Sequence, residues 1–287
     1  AAMASGKPSV VLCDRGAMDS RAYVDEDAWK EIVSANDWTT VGLRDERYDA
    51  VIHLVTAADG AEAAYTTANN AARDETPEQA RALDAKTMAA WVGHSHMRVI
   101  KNDGVDFEGK VRRATAAVCR VVGVPEPVEA ERKFFVRHMR GFGSSVQHQR
   151  VEIEQTYLLG AVDGSTERAR KRSQHGASVY YHTIKRPLRV GERIEIERQV
   201  SAREYDELLT RRDPARQTVS KIRTCFVWDG WYYELDVFKS PRHGLCVLEI
   251  ELDPGYIGEP PIPPFIEVER EVTGEPGWSN AELAVLP

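Results

Sequence analysis

No apolar run in this chain approaches the ~18–20 residues that a membrane-spanning helix needs. Basic residues are in deficit, with Lys+Arg 38 against Asp+Glu 45 and a net charge of −7. That balance argues against non-specific nucleic-acid binding, so no nucleic-acid partner is expected, although a local basic cavity can hide inside an acidic total. Cysteine is scarce. Cys13, Cys119, Cys225 and Cys246 are far apart and form no CxxC pair, and three of them sit in apolar runs. They read as buried free thiols of a reducing compartment, hence a cytoplasmic protein. The phosphate loop G-x-x-x-x-G-K-[ST] is missing too. Gly6-Lys7-Pro8 is no substitute, because Pro stands where a hydroxyl should hold Mg²⁺. His94-Ser95-His96 has no further ligands beside it for zinc. Neither internal repeats nor an organic-cofactor motif is visible.

What is present is a soluble composition, 42% hydrophobic and 29% charged over 287 residues, enough for two domains. The short apolar runs at residues 9–13, 50–55 and 97–100 read as parallel strands buried on both faces. Thr76-Pro77-Glu78-Gln79 is a helix start, with an N-cap, Pro at the first position and Gln at the third, opening a helix toward Trp91. Phe107, Val111, Ala114, Val118 and Val122 share one face of another helix, ended by Gly123. Strands alternating with helices predict a three-layer α/β domain. The abrupt start, running directly into a buried-looking strand, predicts that this domain is N-terminally incomplete.

Near Val124-Pro125-Glu126-Pro127 the pattern changes to a linker. From about Lys133 to Leu252 nearly everything alternates with a period of two. Glu152, Glu154 and Thr156 share one strand face. Arg168, Arg170 and Arg172 share another, and Thr183 lies with Lys185. Glu195 and Glu197, Lys221 and Arg223, Glu234 and Asp236, and Glu249 and Glu251 form further same-face pairs. Acid pairs and basic groups thus segregate by strand. Closing such strands into a barrel converges Arg and Lys beside paired carboxylates, with outward apolar faces covered by helices or by the tail. Arginine forks match phosphate oxygens, and carboxylates tolerate that ligand only with Mg²⁺ or Mn²⁺ between. The expected ligand is therefore a polyphosphate with a divalent metal.

The string Val151-Glu152-Ile153-Glu154-Gln155-Thr156-Tyr157-Leu158 resembles the opening strand of the CYTH, or triphosphate tunnel, superfamily, whose hallmark is Glu-x-Glu-x-Lys. Thr183-Ile184-Lys185, Glu195-Ile196-Glu197, Glu234-Leu235-Asp236 and Glu249-Ile250-Glu251 follow in the order such proteins show. The resemblance implies an eight-stranded antiparallel tunnel and metal-dependent chemistry on triphosphates. Thr156 stands where the hallmark Lys would be, which puts turnover in doubt. The segment from Val11 to Asp19, with Ala90-Trp91-Val92-Gly93-His94, resembles the AAA-like domain related to nicotinamide-riboside kinases. An AAA-like domain followed by a CYTH domain is the arrangement of the TRPL-translocation-defect family.

The expected division is a P-loop kinase-like α/β domain over residues 1–125, a tunnel domain over 126–253 and a Pro- and Glu-rich tail over 254–287, with a short helix after Ser279. In the tunnel, Arg168, Arg170, Arg172, Lys185, Lys221 and Arg223 are the expected phosphate ligands. Glu152, Glu154, Glu195, Glu197, Glu234, Asp236, Glu249 and Glu251 are the expected metal ligands. In the first domain Asp14 would orient a metal, and Arg73 and Arg81 would be lid arginines. The family resemblance implies binding of guanine nucleotide or a phosphoinositide headgroup. It also implies peripheral membrane contact, a protein partner and a role in membrane-protein trafficking. The alternatives are a metal-dependent tunnel triphosphatase and a scaffold subunit with degenerate sites.

Overall fold

The computed structural model describes residues 9–66, 75–102, 104, 106–125, 128–143, 146–160, 164–253 and 256–286. Its first part contains a 3-10 turn (Ala17–Tyr23), α1 (Glu26–Ala35), α2 (Thr40–Arg44), β1 (Val51–Leu54), α3 (Pro77–Trp91), β2 (Met97–Ile100) and α4 (Phe107–Val121). The strands β1 and β2 pair in parallel, with Val51 opposite Met97 and Leu54 opposite Ile100. The α3 start is as expected: Thr76 accepts from the Gln79 amide, Gln79 bonds back to Thr76, and Pro77 opens the helix. Met18, Trp29, Leu43, Ala90, Trp91 and Met97 form the core of this region.

Three expectations are corrected here. Residues 9–13 form no strand, and Val10, Val11 and Leu12 are exposed. An apolar run becomes a buried parallel strand only beside a ladder partner, and none reaches it among the described residues. The apolar stripe of α4 is also not its inner face. Phe107, Val111 and Val122 are exposed, while Gly109 and Ala117 are buried, so the helix packs by its small residues. None of the four cysteines is in a disulfide, but Cys13 is exposed and only Cys225 is fully buried.

The second part is a closed antiparallel barrel of eight strands: β3 (Val128–Met139), β4 (His148–Tyr157), β5 (Thr166–Gln174), β6 (Ala177–Arg189), β7 (Glu192–Val200), β8 (Val219–Trp228), β9 (Trp231–Ser240) and β10 (Cys246–Leu252). Their order around the barrel is β10-β9-β8-β4-β5-β6-β7-β3, and β10 closes onto β3. The hairpin between β8 and β9 turns on Asp229-Gly230, both at positive φ as a two-residue type I′ turn requires. Between β7 and β8 lies α5 (Ala202–Leu209), absent from the strand-only expectation. Its signal was present in Ser201-x-x-Glu204, a reciprocal capping box.

The barrel's outer apolar faces are covered, as the alternation required. Ala130, Phe134, Val136, Phe226, Leu235, Leu248 and Ile250 pack beneath Ile262, Phe265 and Ile266 of the C-terminal segment. That segment is more than an extended tail, because β11 (Ile266–Glu271) joins the sheet antiparallel to β3. The helix after Ser279, α6 (Asn280–Leu283), is present. Leu283 and Ala284 pack with Tyr157, Val219, Phe238 and Val247, closing one end of the barrel. The α/β region covers the other end. Val41 packs on Val179 and Tyr181, and Val92 packs on Val151 and Cys225. Buried Arg44 links Asp45, the Val92 carbonyl and Gln174, while Arg172 donates to the Gly93 carbonyl at 2.7 Å.

Candidate functional site

Inside the barrel lies a cavity of about 540 Å³, lined by side chains from the strands, from the α/β region and from α6. Alternation decides who lines it. On β3 the inward positions are Glu129, Glu131 and Lys133, while Ala130 and Phe134 face the outer core. The β5 strand presents Arg168, Arg170 and Arg172. The β6 and β7 strands add Lys185, Arg193, Glu195 and Glu197. From β8 to β10 come Arg223, Glu234, Glu249 and Glu251.

The expected inner face of β4 is reversed. Glu152 and Glu154 are exposed on the outside, 3.7 Å from Lys239 and 3.9 Å from Lys171 respectively. The inner face is Val151, Ile153, Gln155 and Tyr157, and outward Thr156 bonds Thr218 at 3.0 Å. A period of two defines two faces but not which is inside. Here the apolar face turns inward because Val151 meets Val92 and Cys225 at the covered mouth. The Glu-x-Glu-x-Lys pattern is nevertheless in the chain, one strand earlier, as Glu129-Ala130-Glu131-Arg132-Lys133 with all three key residues facing the cavity. Thr156 therefore replaces nothing. The strand-like alternation was read only from about Lys133, five residues after β3 begins at Val128, and so cut through the motif although the tunnel domain was placed from residue 126.

These groups form one ion-pair network. Lys133 bonds Glu249 and lies 3.3 Å from Glu131. Arg193 bonds Glu131, and Lys185 holds Glu129 at 2.7 Å and Glu195 at 3.0 Å. Arg170 grips both oxygens of Glu197 at 2.6 and 2.7 Å, and Glu197 also accepts from Thr183 at 2.6 Å. Arg223 joins Glu234, Asp236 and Glu249. Burial presses Lys133 to lose its proton, but Glu131 and Glu249 outweigh it and hold the ammonium above its ordinary range. Burial alone would raise Glu195. Lys185 and Arg168 reverse that and bring it down to about 2. Glu197 and Glu249 are depressed in the same way, by Arg170 and by Lys133 respectively.

Lys221 and Asp236 lie inside the barrel but not on the cavity surface. They bond one another at 1% and 0% exposure, the Lys221 ammonium sitting 5.3 Å from the Phe238 ring centre near the end that α6 closes. Burial there pushes Lys221 down to about 8. Among the described residues four buried donors have no hydrogen-bond partner, Gln155 Nε2, Arg168 Nε, Arg170 Nε and Arg172 Nη1, the last lying 3.8 Å from Asp45 Oδ1. All four belong to residues lining the cavity, on neighbouring strands β4 and β5.

The carboxylates offer the hard oxygens that Mg²⁺ or Mn²⁺ prefers. However, ammonium and guanidinium groups occupy them, and among the described residues no group of three or more His, Cys, Asp or Glu is arranged to hold a metal. The predicted kinase-side residues stand apart from the cavity. Asp14 is exposed beyond any strand, Arg81 on α3 is tied to the Ala58 carbonyl at 2.7 Å and to Glu78 at 3.0 Å, and Arg73 lies outside the described residues. His94 is a structural histidine. Its Nε2 donates to the Tyr48 carbonyl at 2.8 Å, its Nδ1 accepts the His96 amide at 3.0 Å, and burial pushes it down to about 4, so it is neutral.

Comparison with known proteins agrees with both halves. Residues 1–108 match a family described as an AAA domain. An inorganic triphosphatase from Acetivibrio thermocellus is 30% identical over 115 residues, 37% of this chain and 66% of that enzyme's length. A solved inorganic triphosphatase is 26% identical, covering 55% of this chain and 95% of that one, with a TM-score of 0.37. A solved Pyrococcus horikoshii protein is 23% identical over 45% of this chain and 80% of that one, with a TM-score of 0.34. No described helix is long and apolar enough to cross a membrane. The chain thus joins an AAA-like α/β region to a closed eight-stranded barrel of the CYTH, triphosphate-tunnel type.

Proposed function

We propose that the barrel binds and hydrolyses a linear triphosphate. The observation that carries this reading is the convergence of Arg168, Arg170, Arg172, Lys133, Lys185 and Arg223 on one cavity, with buried donors of Gln155 and the three arginines of β5 left without a hydrogen bond among the described residues. Each unmet buried donor costs ~1–3 kcal/mol, and more for a charged group. A polyanion that draws these side chains toward it would offset part of that cost. The terminal phosphoryl oxygens would sit among these arginines and Lys133, Lys185 and Arg223, which line the same cavity. There they displace carboxylates such as Glu249 and Glu131 from their cations. A freed carboxylate orients the attacking water and takes its proton. The water oxygen bonds the terminal phosphorus as the bridging P–O bond breaks, releasing orthophosphate and pyrophosphate. Spread over the three phosphate groups, the cations stabilise charge on the departing oxygen. A divalent ion held by Glu129, Glu131 or Glu249 would supply further neutralisation of the phosphate oxygens.

The test is phosphate release from tripolyphosphate, GTP and ATP in Mg²⁺, Mn²⁺ and chelator, with Lys133→Ala as the site variant and Glu152→Gln/Glu154→Gln as the outer-face control. We expect turnover with wild type and with the control, and at least a hundredfold loss in Lys133→Ala. Turnover indifferent to Lys133 would remove the tunnel as its source. Tight binding without turnover would instead favour the regulatory role implied by the TRPL-translocation-defect resemblance, and would make phosphoinositide headgroups the next ligands to titrate.

A further inference from the structure

The α/β region does more than cover a mouth of the barrel. Its strand β2 begins at the cavity wall, where Ser95 and His96 just before it and Arg98 within it are lining residues. His96 Nε2 lies 3.3 Å from Glu197, the carboxylate that Arg170 grips. The Arg98 guanidinium pairs with Glu251 of β10 and donates to the Met97 carbonyl at 3.2 Å. A guanidinium has five N–H donors, so those two acceptors leave most of its fork unused among the described residues. Its side chain is only 20% exposed and lines the cavity. Arg120 of α4 also lines this wall and adds positive charge, partly answered by Asp253 at 2.7 Å. Burial and the nearby Arg120 strain Arg98's charge, bringing it down to about 10 despite Glu129 and Glu234. A bound anion would relieve both.

We propose that Arg98 is a phosphate-binding residue of the tunnel, so that the polyphosphate site is assembled from both regions of the chain. The inference rests on the tunnel being the polyphosphate site, and it extends that site beyond the barrel. Arg98 holds the end of the phosphate chain that faces the α/β region, while the arginines of β5 hold its flank. The same geometry gives the α/β region a direct grip on whatever the barrel binds, with no conformational relay between them.

Calorimetric titration of the full chain with tripolyphosphate, in Mg²⁺ and in chelator, tests this with four variants: Arg98→Gln, Arg98→Lys, Glu251→Gln and Arg98→Gln/Glu251→Gln. Losing a charged hydrogen bond corresponds to about a 10–100-fold weakening. We expect that loss in Arg98→Gln, a smaller one in Arg98→Lys, and persistence of the loss in the double variant relative to Glu251→Gln. If the double variant binds as tightly as Glu251→Gln, Arg98 only neutralises Glu251 and the inference fails. Should Arg98→Gln not fold, Arg98→Lys decides, since it keeps the charge and the pair but not the fork, and wild-type affinity there overturns the inference. Lys133→Ala separates the two levels. If it weakens binding while the Arg98 variants do not, the tunnel stands and Arg98 is excluded. If neither position matters, the tunnel reading falls and takes Arg98 with it.

Discussion

At the scale of single residues, the site depends on which carboxylates and cations share the interior. Glu195 illustrates the sign of the coupling. Its folded-state pKa, about 2, lies below the unfolded carboxyl value near 4.5. Its stabilisation is therefore fully present above about pH 4.5 and is lost progressively as pH falls toward 2. Glu197 and Glu249 shift in the same direction. Thermal melts from pH 2 to pH 7 should show a plateau above about pH 5 and a steep decline below it, shallower in Glu195→Gln. An unchanged slope in that variant would mean that Lys185 does not hold Glu195 as described. The alternation grouped the arginine triplet of β5 and the acid pairs of β7 and β10 on single faces, which line the cavity, although only β10 has a wholly apolar opposite face and β5 carries Glu167 and Lys171 opposite its arginines. It concealed Glu129, Glu131 and Lys133. Arg132, on the outer face of the same strand, is charged as well and pairs with Glu259 and Glu271. Arg132 beside Lys133 and Phe134 beside Phe135 break the alternation within β3.

At the scale of elements, two devices position the site and can be tested separately. Gly93 sits between α3 and β2 at φ +100, accepts from Arg172 through its carbonyl, and donates through its amide to the Tyr232 hydroxyl at 3.2 Å. A Cβ there would lie 2.6 Å from Arg44 Nη1 and 3.2 Å from Gln149 Cβ. Arg44 is 1% exposed and held by three partners, so it has nowhere to go. Gly93→Ala should cost about 1–3 kcal/mol from backbone strain alone, visible as a lowered urea midpoint. The second device is the Ser201 cap of α5, which carries Tyr205 against Ala169 on the back of the arginine strand. Ser201→Ala should cost ~1 kcal/mol, read as a modest fall in Tm with no change in tripolyphosphate affinity. The capping box made α5 legible in principle, yet the long strand periodicity on both sides overrode it. The packing of α2 and β2 on the barrel was not legible at all, since a contact between distant segments leaves no local pattern.

At the scale of the whole molecule, the α/β region and the barrel share buried residues, so a ligand in the cavity should stabilise both. Saturation to about a hundred times Kd adds ~2.7 kcal/mol to a folded state that alone binds the ligand. Tripolyphosphate should therefore raise Tm. It should also slow amide exchange in residues 93–98 as well as along β5. Protection confined to the barrel would show that the two regions open independently. The strand number of eight came only from the CYTH resemblance, whereas closure into a barrel was legible, because alternating segments of similar length leave few other ways to hide their polar faces. Which end is covered by which segment was not, because that choice is made by Val92, Val41 and Leu283 at long range.

The strand that carries Glu129, Glu131 and Lys133 is the barrel's first, yet its ladder is completed by β10 and β11. Lys133 and Glu249 are 116 residues apart in the chain. During synthesis the opening strand thus emerges with its charged edge unpaired and stays so until the final strands leave the ribosome, about 6–23 s later at ~5–20 residues per second. Throughout that interval its charges keep it soluble and discourage pairing with a neighbouring nascent chain. The residues that face the cavity in the finished protein would then act first as guardians of an open edge.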